Sequence, residues 1–108
     1  MRKIVTVQID RPLGTRHPDY PATVYPVNYG YIKDVLAPDG EEQDAYVLGV
    51  DKPLCSFTGE LAAVIHRKDD MEDKWIVVQP GMKLTTADIR EATAFVENYF
   101  TIDIEIFH

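Results

Sequence analysis

Along most of the chain, apolar and polar positions alternate in short stretches with the period of a β-strand. Residues 3–9 (KIVTVQI) form a β-branched run that predicts a first strand, closed by the turn residues Asp10-Arg11-Pro12-Leu13-Gly14. Residues 15–22 (TRHPDYPA) are too rich in proline and polar groups for regular structure and predict a loop. A second strand is centred on Tyr29-Gly30-Tyr31-Ile32, where a glycine inside a strand pattern marks a bulge or a close backbone approach. Residues 44–50 (DAYVLGV) predict a third strand, stopped by Asp51-Lys52-Pro53. Thr58-Gly59-Glu60 reads as a turn before a fourth strand over residues 61–66, and residues 75–79 (WIVVQ) predict a fifth.

After Pro80-Gly81 the period lengthens. Thr85 followed by Asp88 has the form of a capping box, with Asp in place of Glu, and Asp88 also suits the positive end of a helix. Ile89, Ala92, Phe95, Val96 and Tyr99 then recur at helical spacing and predict one apolar face, read as core. The tail, residues 101–108, returns to a period of two, with Ile102, Ile104 and Ile106 on one side. It predicts a strand that either extends the sheet or covers a partner subunit. Five short strands followed by a helix, in one domain over residues 1–108, predict a mainly β (α+β) fold. The architecture expected is a small five-stranded, OB-like closed barrel with a C-terminal amphipathic helix.

Charge narrows what such a barrel could bind. The formal net charge is −7, which argues against a nucleic acid or an anionic membrane, because both need a positive footprint. No apolar run approaches the roughly 20 residues of a membrane span, and the first residues read as a strand, not a signal peptide. One cysteine, Cys55, excludes an intrachain disulfide and fits a reducing cytoplasm; its neighbours Leu54 and Phe57 predict that it is buried.

Two acidic clusters stand out. The stretch YPVNYGYIKDVLAPDGEEQD ends in a Pro38-Asp39-Gly40 turn that begins four acidic residues within six positions. Crowded carboxylates repel and raise one another's pKa unless cations share the site, and Mg²⁺ or Ca²⁺ prefers such oxygen ligands. A solvated acidic turn is the other reading of Asp39, Glu41 and Asp44. A second cluster, RKDDMEDK, precedes the fifth strand, and acidic loops at the mouths of two strands can converge in a barrel. Arg11, Arg16 and His17 form an early basic group that hints at anion binding.

The run YPVNYGYI leading into DGEEQD, with DDMEDK before WIVV, resembles the signature of the soluble Mg²⁺-dependent inorganic pyrophosphatases, a family built on a five-stranded barrel. The resemblance spans about residues 5–78 and, more loosely, the helix. It implies hydrolysis of inorganic pyrophosphate to two orthophosphates, Mg²⁺ as cofactor, and a homo-oligomer. Asp39 and Asp44 then resemble metal ligands of the first turn, with Asp44 also catalytic. Asp69 and Asp73 resemble those of the second loop, and Asp70 is a rival to Asp69. Glu41 takes the place of the aspartate that accepts a proton from the attacking water. Lys74, Tyr29 and Tyr99 resemble phosphate-contacting groups.

The departures from the family pattern are specific. Glu41 is one methylene longer than aspartate, and Gln8 stands where a glutamate is expected. The interval from Asp69 to Asp73 is one residue short, and Lys74 follows Asp73 without the usual intervening residue. Phe100 follows Tyr99 where a lysine is expected, and a basic segment before YPVNYGYI is missing, so Arg11, Arg16 or His17 would have to substitute. Two alternatives follow: a non-catalytic Mg²⁺- or phosphate-binding module, and a hydrolase of a larger phosphoanhydride.

Overall fold

A computed structural model describes residues 2–70 and 72–107. The elements are β1 (Ile4–Arg11), β2 (Asn28–Leu36), β3 (Glu42–Val47), β4 (Ser56–Arg67), β5 (Asp73–Val78), α1 (Thr86–Glu97) and β6 (Ile102–Ile106). Strand order is β1-β2-β3-β5-β4, and an added β1–β4 pairing closes these five into a barrel. All ladders are antiparallel except β3–β5, which is parallel, with Ala45 opposite Trp75 and Val47 opposite Val77.

Closure depends on the length of β4. Its first part, Ser56 to Glu60, pairs with β1, and its later part pairs with β5 on one side and β6 on the other. Successive residues of β3 and β5 feed two apolar clusters, as strand alternation requires. Ala45, Val47 and Val77 join Val5, Val7 and Ile32 in one. Tyr46, Ile76 and Val78 join Ile65, Ile102 and the helical Ile89 in the other, so α1 covers that face. Strands covered on both faces read as near-continuous apolar runs, which is why WIVV and YVL lack polar positions.

The helix forms as its cap predicts. Thr85 Oγ1 accepts the Asp88 amide at 3.1 Å, and Asp88 Oδ2 accepts the Thr85 amide at 2.9 Å. The tail joins the sheet: β6 pairs with β4 from Ala63 opposite Ile106 to Arg67 opposite Ile102. Gly30 is a close approach beside a bulge, since a Cβ there would lie 1.8 Å from the Gln8 carbonyl oxygen.

Three expectations are corrected. Thr58-Gly59-Glu60 is not a turn; it lies within β4, where the β1 ladder holds it extended, and Gly59 lets the Val78 carbonyl approach. Cys55 is exposed, because it precedes β4 and flanking apolar residues do not bury a loop position. Tyr99 is 83% exposed and not core, because the helix ends at Glu97 and the stripe ends with it. The buried positions of that face include Thr93 and Glu97 instead.

Two predictions follow from these contacts. Gly30→Ala should lower stability by about 1–3 kcal/mol through overpacking against β1, read as a lower urea midpoint; an unchanged midpoint would contradict the close approach. The second concerns His66, whose ring bridges Asp73 at 3.0 Å and Glu105 at 3.1 Å, linking β4 to β5 and β6. Partial burial lowers its pKa, but the bonds to Glu105 and Asp73 outweigh that and raise it. The stabilisation is therefore complete below the unfolded pKa of about 6.5 and is lost as pH rises through the higher folded value. The melting temperature of the protein should exceed that of His66→Gln at pH 6, and the gap should shrink by pH 8.5. A gap independent of pH would remove the ionic bridge.

Candidate functional site

One end of the barrel holds a buried cation. Lys74, on β5 beside β3, donates to Asp44 Oδ2 at 2.5 Å and to the Tyr29 hydroxyl at 3.1 Å. Glu72 Oε2 lies 4.0 Å from the same ammonium. The alternation of β5 explains the set. Asp73 and Lys74 turn to opposite faces, Asp73 pairing with His66, while Glu72, in the connection just before β5, stands near Lys74. Glu72, not Asp73, accompanies Lys74. The two-residue strand period was the signal for this, and it restores a carboxylate two positions before the lysine.

Burial and the Asp44 carboxylate push the Tyr29 hydroxyl well above its usual pKa, so it stays a neutral phenol. Gln43 supports this end of the barrel, its buried amide donating to the Asp73 carbonyl at 2.7 Å and the Asp44 carbonyl at 3.0 Å.

Next to Lys74 lies a second, deeper ionic group centred on Arg67, at the end of β4. The Arg67 guanidinium meets Glu97 through two bonds, Nε to Oε1 at 2.8 Å and Nη2 to Oε2 at 2.6 Å. The side chains of Arg67 and Glu97 are 6% and 1% exposed, so the pair is desolvated. Nη1 reaches Glu72 at 2.9 Å and Asp70 at 3.2 Å, and the guanidinium stacks on the Phe100 ring with its carbon 3.9 Å from the centroid. The Tyr46 hydroxyl donates to Glu97 Oε2 at 2.8 Å. Burial, then the Glu97 charge, raises the Tyr46 pKa. Burial works against the Arg67 charge, but the bonds to Glu97 outweigh it. Sequence reading passed over Arg67 and Glu97. A glutamate at helical position 97, on the apolar stripe, was the available signal, because a buried carboxylate needs a partner.

The segment before β2 is fixed by Asn28, which is fully buried. Its Oδ1 accepts the amides of Leu13 and Leu54, both at 3.0 Å, and its Nδ2 donates to the Lys52 carbonyl at 2.9 Å. The asparagine of YPVNYGYI is thus a clamp between two loops. Tyr25 is buried between Tyr29, Phe95 and His17, and its hydroxyl accepts from Arg11, whose guanidinium lies over the Tyr25 and Tyr29 rings. Arg11 therefore sits beside Tyr29.

The remaining candidates are dispersed. Arg16 is exposed and donates to the Pro21 carbonyl within its own loop. Asp39 accepts the Glu41 amide at 3.0 Å in the β2–β3 turn, and both side chains are exposed. Asp69 accepts the Thr101 amide at 2.6 Å, and Asp70 accepts the Glu72 amide at 3.0 Å. Tyr99 lines a cavity of 590 Å³ together with His17, Tyr20, Phe95, Phe100 and Arg67. Lys74, Tyr29 and Asp44 do not line that cavity; Glu72 links the two places, touching Arg67 and standing near Lys74. Asp39, Asp44, Asp69 and Asp73 thus do not converge, and among the described residues no three His, Cys, Asp or Glu side chains are grouped to hold a metal ion. Nor is any helix among them long and apolar enough to cross a membrane.

Solved structures with this fold include an inorganic pyrophosphatase from Ehrlichia chaffeensis, with a TM-score of 0.74 and 15% identity over 96% of this chain and 86% of that one. Another is the inorganic pyrophosphatase of Helicobacter pylori, with a TM-score of 0.68 and 18% identity, covering 96% of this chain and 83% of that one. A third, from Neisseria gonorrhoeae, has a TM-score of 0.67 and 20% identity, covering 89% and 73%. At these identities the likeness speaks for the fold. No curated protein sequence matches the chain. The inorganic pyrophosphatase family model matches residues 3–107, almost the whole length, and on that ground the chain belongs to the inorganic pyrophosphatase family.

Proposed function

We propose that the chain hydrolyses inorganic pyrophosphate, received as its magnesium complex at the end of the barrel where Tyr29, Asp44 and Lys74 meet. The observation that supports this most is the buried Lys74 ammonium held between a carboxylate and a neutral phenol, in a chain of this family. Mg²⁺ keeps several waters and is commonly held by one or two carboxylates plus substrate phosphates, without an all-protein cage. Asp44, 35% exposed, and Asp39 in the adjoining turn offer the hard oxygen donors such a complex needs. In the second loop Asp70 and Glu72 are bonded to an Arg67 guanidinium that Glu97 anchors at two points, and Asp73 is bonded to His66, so Mg²⁺ is assigned to the first turn.

When bound, Mg²⁺ neutralises oxygens of the pyrophosphate. The chain supplies the rest. Lys74 and Tyr29 bond phosphate oxygens and offset the charge that develops on them. Arg11, which lies over the Tyr29 ring, is assigned to the leaving phosphate. Glu41 accepts a proton from the attacking water as the new P–O bond forms and the bridging P–O bond breaks, giving two orthophosphates. Its carboxylate stands one methylene further from the backbone than an aspartate's would, so side-chain length sets where the proton is taken.

A cytoplasmic location and a homo-oligomer belong to the same proposal. β6 pairs only with β4 within the described sheet, which leaves its other edge for a second copy. Sedimentation at micromolar concentration should give a mass above 12.3 kDa; a monomer would refute that part.

Orthophosphate release from pyrophosphate and Mg²⁺ is the decisive assay. Asp44→Asn should bring release below about 1% of the unmodified rate, and Glu41→Asp should retain or raise it, by up to about 100-fold. Normal turnover in Asp44→Asn would remove the site assignment. A second reading, a non-catalytic binding module, is favoured by the pairing of the second-loop carboxylates. It wins if no orthophosphate appears while Mg²⁺ plus pyrophosphate still raises the melting temperature. Turnover of nucleoside polyphosphates alone would point to a larger phosphoanhydride.

A further inference from the structure

The second acidic loop raises a question of charge. Asp70 and Glu72 lie within it, Glu97 approaches from the helix, and the three carboxylates surround one guanidinium. Such a group is stable only if a cation shares it. We infer that the Arg67 guanidinium is the resident cation of this loop, and that this half of the site recruits no divalent metal.

The geometry gives the reason. Arg67 Nη1 lies between Asp70 and Glu72, at 3.2 and 2.9 Å, where an ion bridging those carboxylates would have to sit. The guanidinium cannot easily withdraw, because two bonds to Glu97 hold it from behind and the Phe100 ring supports its face. It also cannot lose its charge at any ordinary pH. A divalent ion entering here would therefore face a fixed positive charge at contact distance, with the Lys74 ammonium 4.0 Å from the same Glu72 oxygen. Removing a hydrated Mg²⁺ from water adds a desolvation penalty, and the like charges nearby add repulsion to it. Phe100 takes part in the same device. The family resemblance calls for a lysine there, and here an aromatic ring carries the arginine of β4, so the cation comes from a strand instead of the helix end.

The inference extends the proposed function by limiting metal to the Asp44 end, but its test needs no turnover, so a catalytically silent chain would leave it standing. Mn²⁺ binding, read from the loss of the free-ion paramagnetic signal, is measured without pyrophosphate on the unmodified chain, on Asp70→Asn, and on Arg67→Met. Asp70→Asn should change Mn²⁺ affinity by less than twofold, because that carboxylate already has its cation. Arg67→Met keeps an apolar stem over Phe100 and frees three carboxylates. It should bind Mn²⁺ at least tenfold more tightly, and adding Asp70→Asn should reverse most of the gain. The inference is overturned if Asp70→Asn alone weakens Mn²⁺ binding tenfold, or if a folded Arg67→Met binds it no better than the unmodified chain. Should Arg67→Met fail to fold in the absence of metal, refolding on addition of Mn²⁺ supports the inference, and the Asp70→Asn comparison decides it otherwise.

Discussion

The pairing of Arg67 with Glu97 is the constraint on which the rest of this end of the molecule depends. It joins the last residue of α1 to the last residue of β4, two places far apart in sequence, through a desolvated two-point ionic contact. Leaving either charge buried alone would cost about 3–5 kcal/mol, so the helix end and the strand end stay together or the whole corner opens. Tyr46 on β3 bonds the same carboxylate, and Asp70 and Glu72 in the β4–β5 connection bond the same guanidinium. The acidic loop is therefore shaped from beneath. Its carboxylates point where the arginine requires, and Glu72 is carried within reach of Lys74 as a result.

This arrangement makes the two acidic segments unlike one another, although they look equivalent as text. The turn holding Asp39 and Glu41 satisfies only its own backbone and leaves its carboxylates in solvent. The second segment is internally neutralised on one side by Arg67 and crossed by His66 on the other, through Asp73. Under the proposed function, chemistry that calls for an incoming cation belongs to the first. Structural cohesion belongs to the second.

The barrel was legible because its signals are local. β-branched runs, a proline–glycine stop and a capping box each act within a few residues, and the strands and helix they predict are present. The errors came where a non-local partner overrode a local preference. Thr58-Gly59-Glu60 has turn composition, yet pairing with β1 holds it extended. Cys55 has apolar neighbours but no strand to bury it. Tyr99 continues the helical stripe two residues past the helix end at Glu97. In the site, Asp44, Tyr29 and Lys74 were recognisable by type and are brought together. Arg67 and Glu97 were not: the helical period puts Glu97 on the buried stripe, but it does not say which distant cation meets it. Asp73 was named through the resemblance of the second loop; its carboxylate meets His66, and Glu72 stands near Lys74.

The length of β4 carries a consequence for how the molecule assembles. One continuous strand supplies ladders to β1, β5 and β6. Two of those partners lie far away along the chain, near its start and near its end. Local hairpins such as β1–β2 can form early, but closure must wait until residues past the midpoint are ordered, and the entropy of that long loop is met before any reward arrives. Once seated, β4 cannot leave one neighbour without disturbing the others. Folding should thus be slow for a chain of this size, and unfolding should proceed as one cooperative event in which the barrel seam, the helix anchor and the ionic corner are lost together.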